Sequence, residues 1–207
     1  MGVSLTRTAG TPTSKKKFTF SLWYKKPMVR DHGSTTSDMC FFNSAASNDN
    51  RLTFYINQEN SPYDQLRLTG RNGGSSVLDL RTTTELEDIA SWYHIVAKVD
   101  TTQSTNTNRA KLYINGVEQP LDTNSYPNQD VELEIQHTPY LLSYSGSGNY
   151  VQGTVSHFHY CDGYAYDASS FGEFNATSGI WTPKTAPSVT YGTNGFFLKF
   201  ENSGAMG

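Results

Sequence analysis

Apolar residues recur at every second position over short stretches of this chain, and turn-forming residues separate the stretches. Such alternation predicts half-buried strands, because successive side chains of a strand point to opposite faces. Phe18-Thr-Phe-Ser-Leu-Trp-Tyr24 sets Phe18, Phe20, Leu22 and Tyr24 on one face. Strands are expected next at Met39 to Asn43 and Leu52 to Asn57, joined by the polar run Ser44 to Asn50. Gln65 to Thr69 and Ser76 to Leu80 flank Asn72-Gly73-Gly74. Residues of that type accept the positive φ of a tight hairpin, so these two strands should be antiparallel neighbours. Trp92 to Asp100 sets Tyr93, Ile95, Ala97 and Val99 on one face, and Asn115-Gly116 predicts a second hairpin over Lys111 to Gln119. Later strands are expected at Val131 to Gln136, Tyr140 to Tyr144, Gly153 to Cys161 and Phe196 to Glu201. One helical turn is expected over Asp167 to Phe171, with Asp167 in the capping position. Many short strands with turns between them predict an all-β sandwich or barrel. With no repeat and no linker, residues 1–207 read as one domain.

Composition supports this picture. Tyr 13 and Phe 11 stand beside abundant small polar residues, the former suited to pleated surfaces and the latter to turns. At 207 residues the chain is long enough to bury a core without disulfides or a metal. The net charge of −3 argues against a nucleic-acid partner, which calls for a basic face. The basic cluster is Lys15-Lys16-Lys17, with Lys25-Lys26 shortly after, and the three lysines before a strand are expected on a solvated turn or charged strand edge. No apolar run is long enough to insert in a bilayer, and the opening residues lack the apolar run of a secretory signal. Gly2 follows Met1, but with Arg7 and strand-like alternation close by, myristoylation is not expected. Cys40 and Cys161 read as two buried free thiols.

Three segments carry a family resemblance. Ser91-Trp-Tyr-His-Ile-Val-Ala-Lys-Val-Asp100 and Lys111-Leu-Tyr-Ile-Asn-Gly-Val117 resemble the paired-strand signature of concanavalin A-like, laminin-G-type domains. The third comprises Gly153 to Asp167, Ser170-Phe-Gly-Glu173, Trp181-Thr-Pro-Lys184 and Tyr191-Gly-Thr-Asn-Gly-Phe-Phe-Leu-Lys-Phe200. It is similar to the version of this domain found in virion structural proteins of phages, marine phages especially. Ser4-Leu-Thr-Arg-Thr and Phe18 to Trp23 resemble the start of that version. Relatives continue past the Leu-Lys-Phe segment, whereas this chain stops at Gly207. The resemblance implies an all-β, two-sheet antiparallel β-sandwich of jelly-roll, concanavalin A-like form. It further implies a non-catalytic virion module that binds other virion proteins or a host surface glycan, in a symmetric homo-oligomer, the alternatives being a laminarinase-like glycan hydrolase or a cellular lectin-like carbohydrate-binding module.

Some residues offer chemistry of another kind. Glycanases on this fold place carboxylates at alternate strand positions, and Glu132-Leu-Glu-Ile-Gln136 is the nearest counterpart. Its third position is Gln136, which cannot shuttle a proton, so Glu132 and Glu134 are expected to be ordinary outward residues. Glu85-Leu-Glu-Asp88 offers oxygen ligands of the type calcium takes, yet without a calcium-loop spacing, and no cofactor is expected. His157, His159 and Cys161 share one face as zinc-type ligands, but residues two apart on a strand are stretched for one ion. Phe158 and Tyr160 would take the core face and the histidines the wetter one. Asn175-Ala-Thr177 is a glycosylation sequon that matters only in a eukaryotic host. The leading binding candidates are loop tyrosines among small polar residues: Tyr126, Tyr144, Tyr150 and Tyr164, with Asn149.

Overall fold

The computed structural model describes residues 3–27 and 37–200. Two antiparallel sheets pack face to face. The larger has seven strands, in the spatial order β1 (Leu5–Thr6), β11 (Tyr140–Leu141), β3 (Met39–Ser47), β4 (Asn50–Asn57), β5 (Gln65–Asn72), β6 (Ser75–Glu85) and β10 (Leu121–Ser125). The smaller runs β15 (Phe196–Leu198), β12 (Thr154–Asp162), β2 (Lys17–Lys25), β7 (Tyr93–Asp100), β8 (Ala110–Ile114) and β9 (Val117–Glu118). A separate hairpin pairs β13 (Gly172–Phe174) with β14 (Trp181–Pro183).

Alternation sets the core. Phe18, Phe20, Leu22 and Tyr24 of β2 and Tyr93, Ile95, Ala97 and Val99 of β7 all join one buried cluster with Phe54, Leu68 and Leu80 of the opposite sheet. Each large apolar side chain enclosed this way contributes about 1.5–3 kcal/mol. Both expected hairpins form. Gly73 (φ 55°) and Gly74 (φ 81°) turn β5 into β6, while Asn115 (φ 49°) and Gly116 (φ 82°) turn β8 into β9. Two consecutive positive φ angles match the twist of the flanking strands. Cys40 and Cys161 are buried free thiols, and a one-turn helix spans Ala168–Ser170. Among the described residues no helix is long and apolar enough to cross a membrane.

Several expectations are corrected. Residues 131–136 form no strand. Leu133 and Ile135 are buried as the alternation requires, but the Leu133 N–H donates to Lys15 O and the Ile135 N–H to Leu133 O, so no ladder exists. Ser44 to Ser47 is not connecting loop but the end of β3. The strand at Tyr140 ends after Leu141, where Leu142 takes a φ of 60°. Asp167 stands at the head of its helical turn without capping it; its carboxylate instead accepts from Lys98 Nζ and Tyr113 Oη, each at 2.8 Å. Glu201 and Gly207, like Gly2, lie outside the described residues.

The early and late parts of the chain clamp one another. Asn194 exchanges two hydrogen bonds with the Gly10 backbone, at 2.7 and 3.0 Å, and Arg7 Nη1 donates to the carbonyls of Asn194 and Gly195. The buried Asp162 carboxylate accepts from the backbone N–H groups of Thr13 and Asn194.

Candidate ligand-binding site

The outer face of the six-stranded sheet is covered rather than wet. Thr19 of β2 donates its hydroxyl hydrogen to Tyr164 O and accepts from the Tyr166 N–H, tying down the segment that follows β12. Ala168 packs on Val96 and Tyr113, and Phe171 lies on His159 with ring centroids 5.1 Å apart. His159 is therefore buried, corrected from the wetter setting expected for it. Its ring stacks on Phe197 at 4.0 Å, its Nδ1 meets Tyr191 Oη at 2.9 Å, and burial and then the charge of His157 lower its pKa to about 3.

His94 of β7 is the central piece of this covered face. The Trp181 indole N–H donates to its Nδ1 at 3.0 Å, so Nδ1 carries no proton. Nε2 then holds the hydrogen and donates to Ser21 Oγ at 2.9 Å. The ring stacks against Trp23, with centroids 5.0 Å apart and planes 25° apart, and against Trp181 at 5.9 Å and 27°. Asn115 fixes the His94 backbone from the β8–β9 turn, its Oδ1 accepting the His94 N–H at 2.8 Å. Burial, and secondarily His159, lower the His94 pKa to about 3. It is a neutral support for two indoles, with no lone pair or proton left for a ligand.

Two glycines allow Trp181 to lie where it does. A Cβ on Gly172 would stand 2.6 Å from the indole Nε1, Cε2 and Cζ2, and one on Gly116 would stand 2.6 Å from Cζ3. Both are far inside ordinary contact.

Beyond Trp181 the covering segment stops short and leaves a cavity of about 550 Å³. Its apolar walls are Trp23, Trp92, Trp181, Ile180 and Pro183, which gathers all three tryptophans of the chain at one place. Ser91, Asn115, Ser156, His157 and Thr182 supply the polar groups. A bulge between Ser156 and His159 places His157, with φ at 48°, on this cavity, where its Nδ1 lies 2.7 Å from Ser156 Oγ. Residues held in such backbone regions cluster at functional sites. Pockets of this size, largely apolar with a few convergent polar groups, hold small molecules.

The sequence-derived candidates lie elsewhere. Tyr144 and Asn149 line a second, polar cavity of about 280 Å³ with Asp38, Arg51, Tyr55 and Thr69 of the seven-stranded sheet's side. Arg51 lies 5.9 Å from the Tyr144 ring centre, and the Tyr144 hydroxyl donates to Asn48 Oδ1 at 3.3 Å. Tyr150, in the same loop, donates to Gly146 O at 2.7 Å. Tyr126 packs against the hydrophobic core, and Tyr164 stacks on Tyr166. The structure thus brings Tyr144 and Asn149 together and leaves Tyr126 and Tyr164 apart. Trp23, Trp92 and Trp181 were not singled out, although Trp23 sits out of phase with the core residues of its strand.

The acidic candidates are engaged structurally. Glu132 pairs with Lys15 at 2.8 Å, and Glu134, half-buried rather than outward, binds His137 Nε2 at 2.6 Å and accepts from Gln136 Nε2. Asp88 accepts the Ala90 N–H at 2.7 Å. Among the described residues no three His, Cys, Asp or Glu side chains gather as a metal site would need.

Comparison with known proteins bears on this architecture. Among curated sequences no relative is detected. A candidate carbohydrate-binding protein from Bacteroides ovatus superposes with a TM-score of 0.59 at 12% identity, over 97% of this chain and 49% of its own. This chain therefore spans about half of that protein. The heptameric SAP-like pentraxin of Limulus polyphemus gives 0.50 at 12% identity, over 89% of this chain and 93% of its own. Tailspike protein 2 of the Escherichia coli O157:H7 bacteriophage CAB120 gives 0.51 at 11% identity, over 81% and 22%. At such identities these likenesses establish the fold. The family model of the concanavalin A-like lectin/glucanases superfamily matches residues 2–164, well over half of the sequence, and the two-sheet sandwich agrees with it. The chain belongs to the concanavalin A-like lectin/glucanases superfamily.

Proposed function

We propose that this protein is a non-catalytic glycan-binding module, working as an adhesion or structural part of a virion. The observation that carries the binding role is the convergence of Trp23, Trp92 and Trp181 on one open cavity with hydroxyl, amide and imidazole groups among them. Indole faces offer large, rigid apolar area for the C–H faces of sugar rings, and the polar groups match ring hydroxyls. The carbohydrate-binding description of the Bacteroides protein supports this reading, and the phage tailspike supports the setting, as does the resemblance of the 153–200 segment to phage virion domains. A symmetric homo-oligomer suits such a role, since repeated weak sites gain avidity.

The test is direct, because every tryptophan of the chain lines the cavity and fluorescence excited selectively at tryptophan, beyond the tyrosine absorption, reports on it. Titration with a panel of oligosaccharides should quench or shift the emission for at least one. Trp92→Ala, which removes a side chain already 38% exposed, should abolish that response while leaving the thermal midpoint near that of the parent. A panel with no response would refute the binding role. Release of reducing ends by the purified protein would refute its non-catalytic character.

A further inference from the structure

The cavity is built from two parts of different standing. Trp23, Trp92, Asn115 and His157 belong to the segment that the superfamily model matches, residues 2–164. Ile180, Trp181, Thr182 and Pro183 belong to the β13–β14 hairpin beyond it, so the hairpin contributes one whole wall. That wall is held firmly on one side through Trp181, His94 and the two glycines. On its other side it is bare: Ile180 is 64% exposed and Phe174, whose ring meets Trp181 edge-on at 4.9 Å, is 62% exposed. An apolar side chain that lines a cavity and stays open to water is surface for a ligand to cover.

Among the described residues the lining contains no Asp, Glu, Lys or Arg. Of the charged groups around it, Lys25 stands two residues from Trp23 on β2 and its charge acts on Asp88, while others are turned to other work. Asp88 bonds Ser91 and the Ala90 N–H at the rim, and the Lys199 ammonium lies over the Phe197 ring. Lys184, next to Pro183, donates to Ser169 O at 2.7 Å. His157, the one titratable side chain among the described lining residues, already has Ser156 against its Nδ1. A carboxylate or sulfate brought against these indoles would lose its water without gaining a counter-ion, and burying an unpaired charge is costly.

We propose that the cavity takes an uncharged pyranose unit with a continuous C–H face, and that the 172–183 hairpin is the element that sets this specificity. The inference rests on the glycan-binding reading and narrows it. Because Trp181 is fixed before any ligand arrives, the wall is preorganised and little ordering is needed on binding. Uronic, sialic and sulfated sugars are disfavoured because the described lining offers them no Lys or Arg.

The experiment uses the full chain with two sets of probes, by calorimetry and tryptophan fluorescence. One set is neutral oligosaccharides of gluco, galacto and manno configuration. The other is the same cores carrying uronate, sialic acid or sulfate. Neutral members should bind and their anionic counterparts should bind at least about tenfold more weakly. Ile180→Ser, at a position open enough to leave folding intact, should weaken neutral binding by about tenfold or more with no change in the thermal midpoint. Anionic sugars binding as well as neutral ones, with sensitivity to Trp92→Ala, would overturn the neutral specificity and keep the glycan role. Neutral binding indifferent to Ile180→Ser would overturn the assignment of the hairpin. If neither sugar set binds, or if only a proline-rich peptide does, both this inference and the glycan role fall.

Discussion

Replacing Gly172 by alanine tests the whole construction of the covered sheet face. The new Cβ would stand 2.6 Å from three atoms of the Trp181 indole, including Nε1. Ordinary carbon contacts begin near 3.5 Å, so the ring must retreat by about 1 Å. Gly116 already bounds the same ring along its six-membered edge, which limits where it can go. A retreat of that size takes Nε1 out of hydrogen-bond reach of His94 Nδ1, now 3.0 Å away, and leaves a buried acceptor without its donor. Crowding costs about 1–3 kcal/mol and the orphaned acceptor a similar amount, so a loss of roughly 2–4 kcal/mol is expected after partial relaxation. For a chain of this size that lowers the thermal midpoint by about 5–15 °C. Circular dichroism on heating measures the midpoint, and a red-shifted tryptophan emission at room temperature should accompany its fall. Gly148→Ala is the control, since a Cβ there meets nothing and its effect should stay within about 0.5 kcal/mol. A Gly172→Ala protein with the parent's midpoint and emission would refute the packing argument.

Acid should destabilise the fold well above the range where carboxylates titrate. His94 and His159 remain neutral in the fold down to about pH 3, whereas in the unfolded chain each takes a proton near 6.5. Between those values the unfolded state binds more protons, so stability is greatest above pH 6.5 and falls as pH is lowered, by about 2 kcal/mol per histidine at pH 5. Urea midpoints at pH 7.5, 6 and 5 should decline in step, and a flat series would contradict the neutral assignment. Lys26 and Asp64 form a buried ion pair at 2.6 Å with side chains 1% and 5% exposed. Lys26→Met takes the ammonium from the buried Asp64 carboxylate, which also accepts from the Gln58 amide, at an expected cost of about 3–5 kcal/mol by urea unfolding. A loss under about 1 kcal/mol would show that the carboxylate does not depend on Lys26.

How much of this was legible in the sequence varies from element to element. The core of β2 and β7 was, because a period of two with Phe18, Phe20, Leu22 and Tyr24 admits one face only. The hairpins were as well, since Gly73-Gly74 and Asn115-Gly116 accept a backbone region that other residues resist. Residues 131–136 show the limit of that signal. Alternation reports which side chains are buried, and Leu133 and Ile135 are; it says nothing about whether the N–H groups find a neighbouring strand. The site was less accessible for a different reason. Ser21 and His94 read as the wet face of their strands, and only the path of the chain after residue 163 turns that face inward. Trp23, Trp92 and Trp181 come from three distant segments, and their meeting depends on that same path. The tyrosine criterion, rings in polar loops, found Tyr144 and Asn149 on a shared cavity but could not tell them from Tyr126, whose ring rests on the core.

The clamp between residues 7–10 and 193–195 and the tryptophan cavity are joined by one strand. The clamp lies beside Asp162, at one end of β12, while Ser156, toward the other end, borders the tryptophan cavity. Six residues of strand put about 20 Å between the two. From the clamp β15 returns along β12, with Leu198 opposite Phe158 and the Ser156 hydroxyl donating to Lys199 O, so a single short strand ties the chain's early-to-late closure to the rim of the tryptophan cavity.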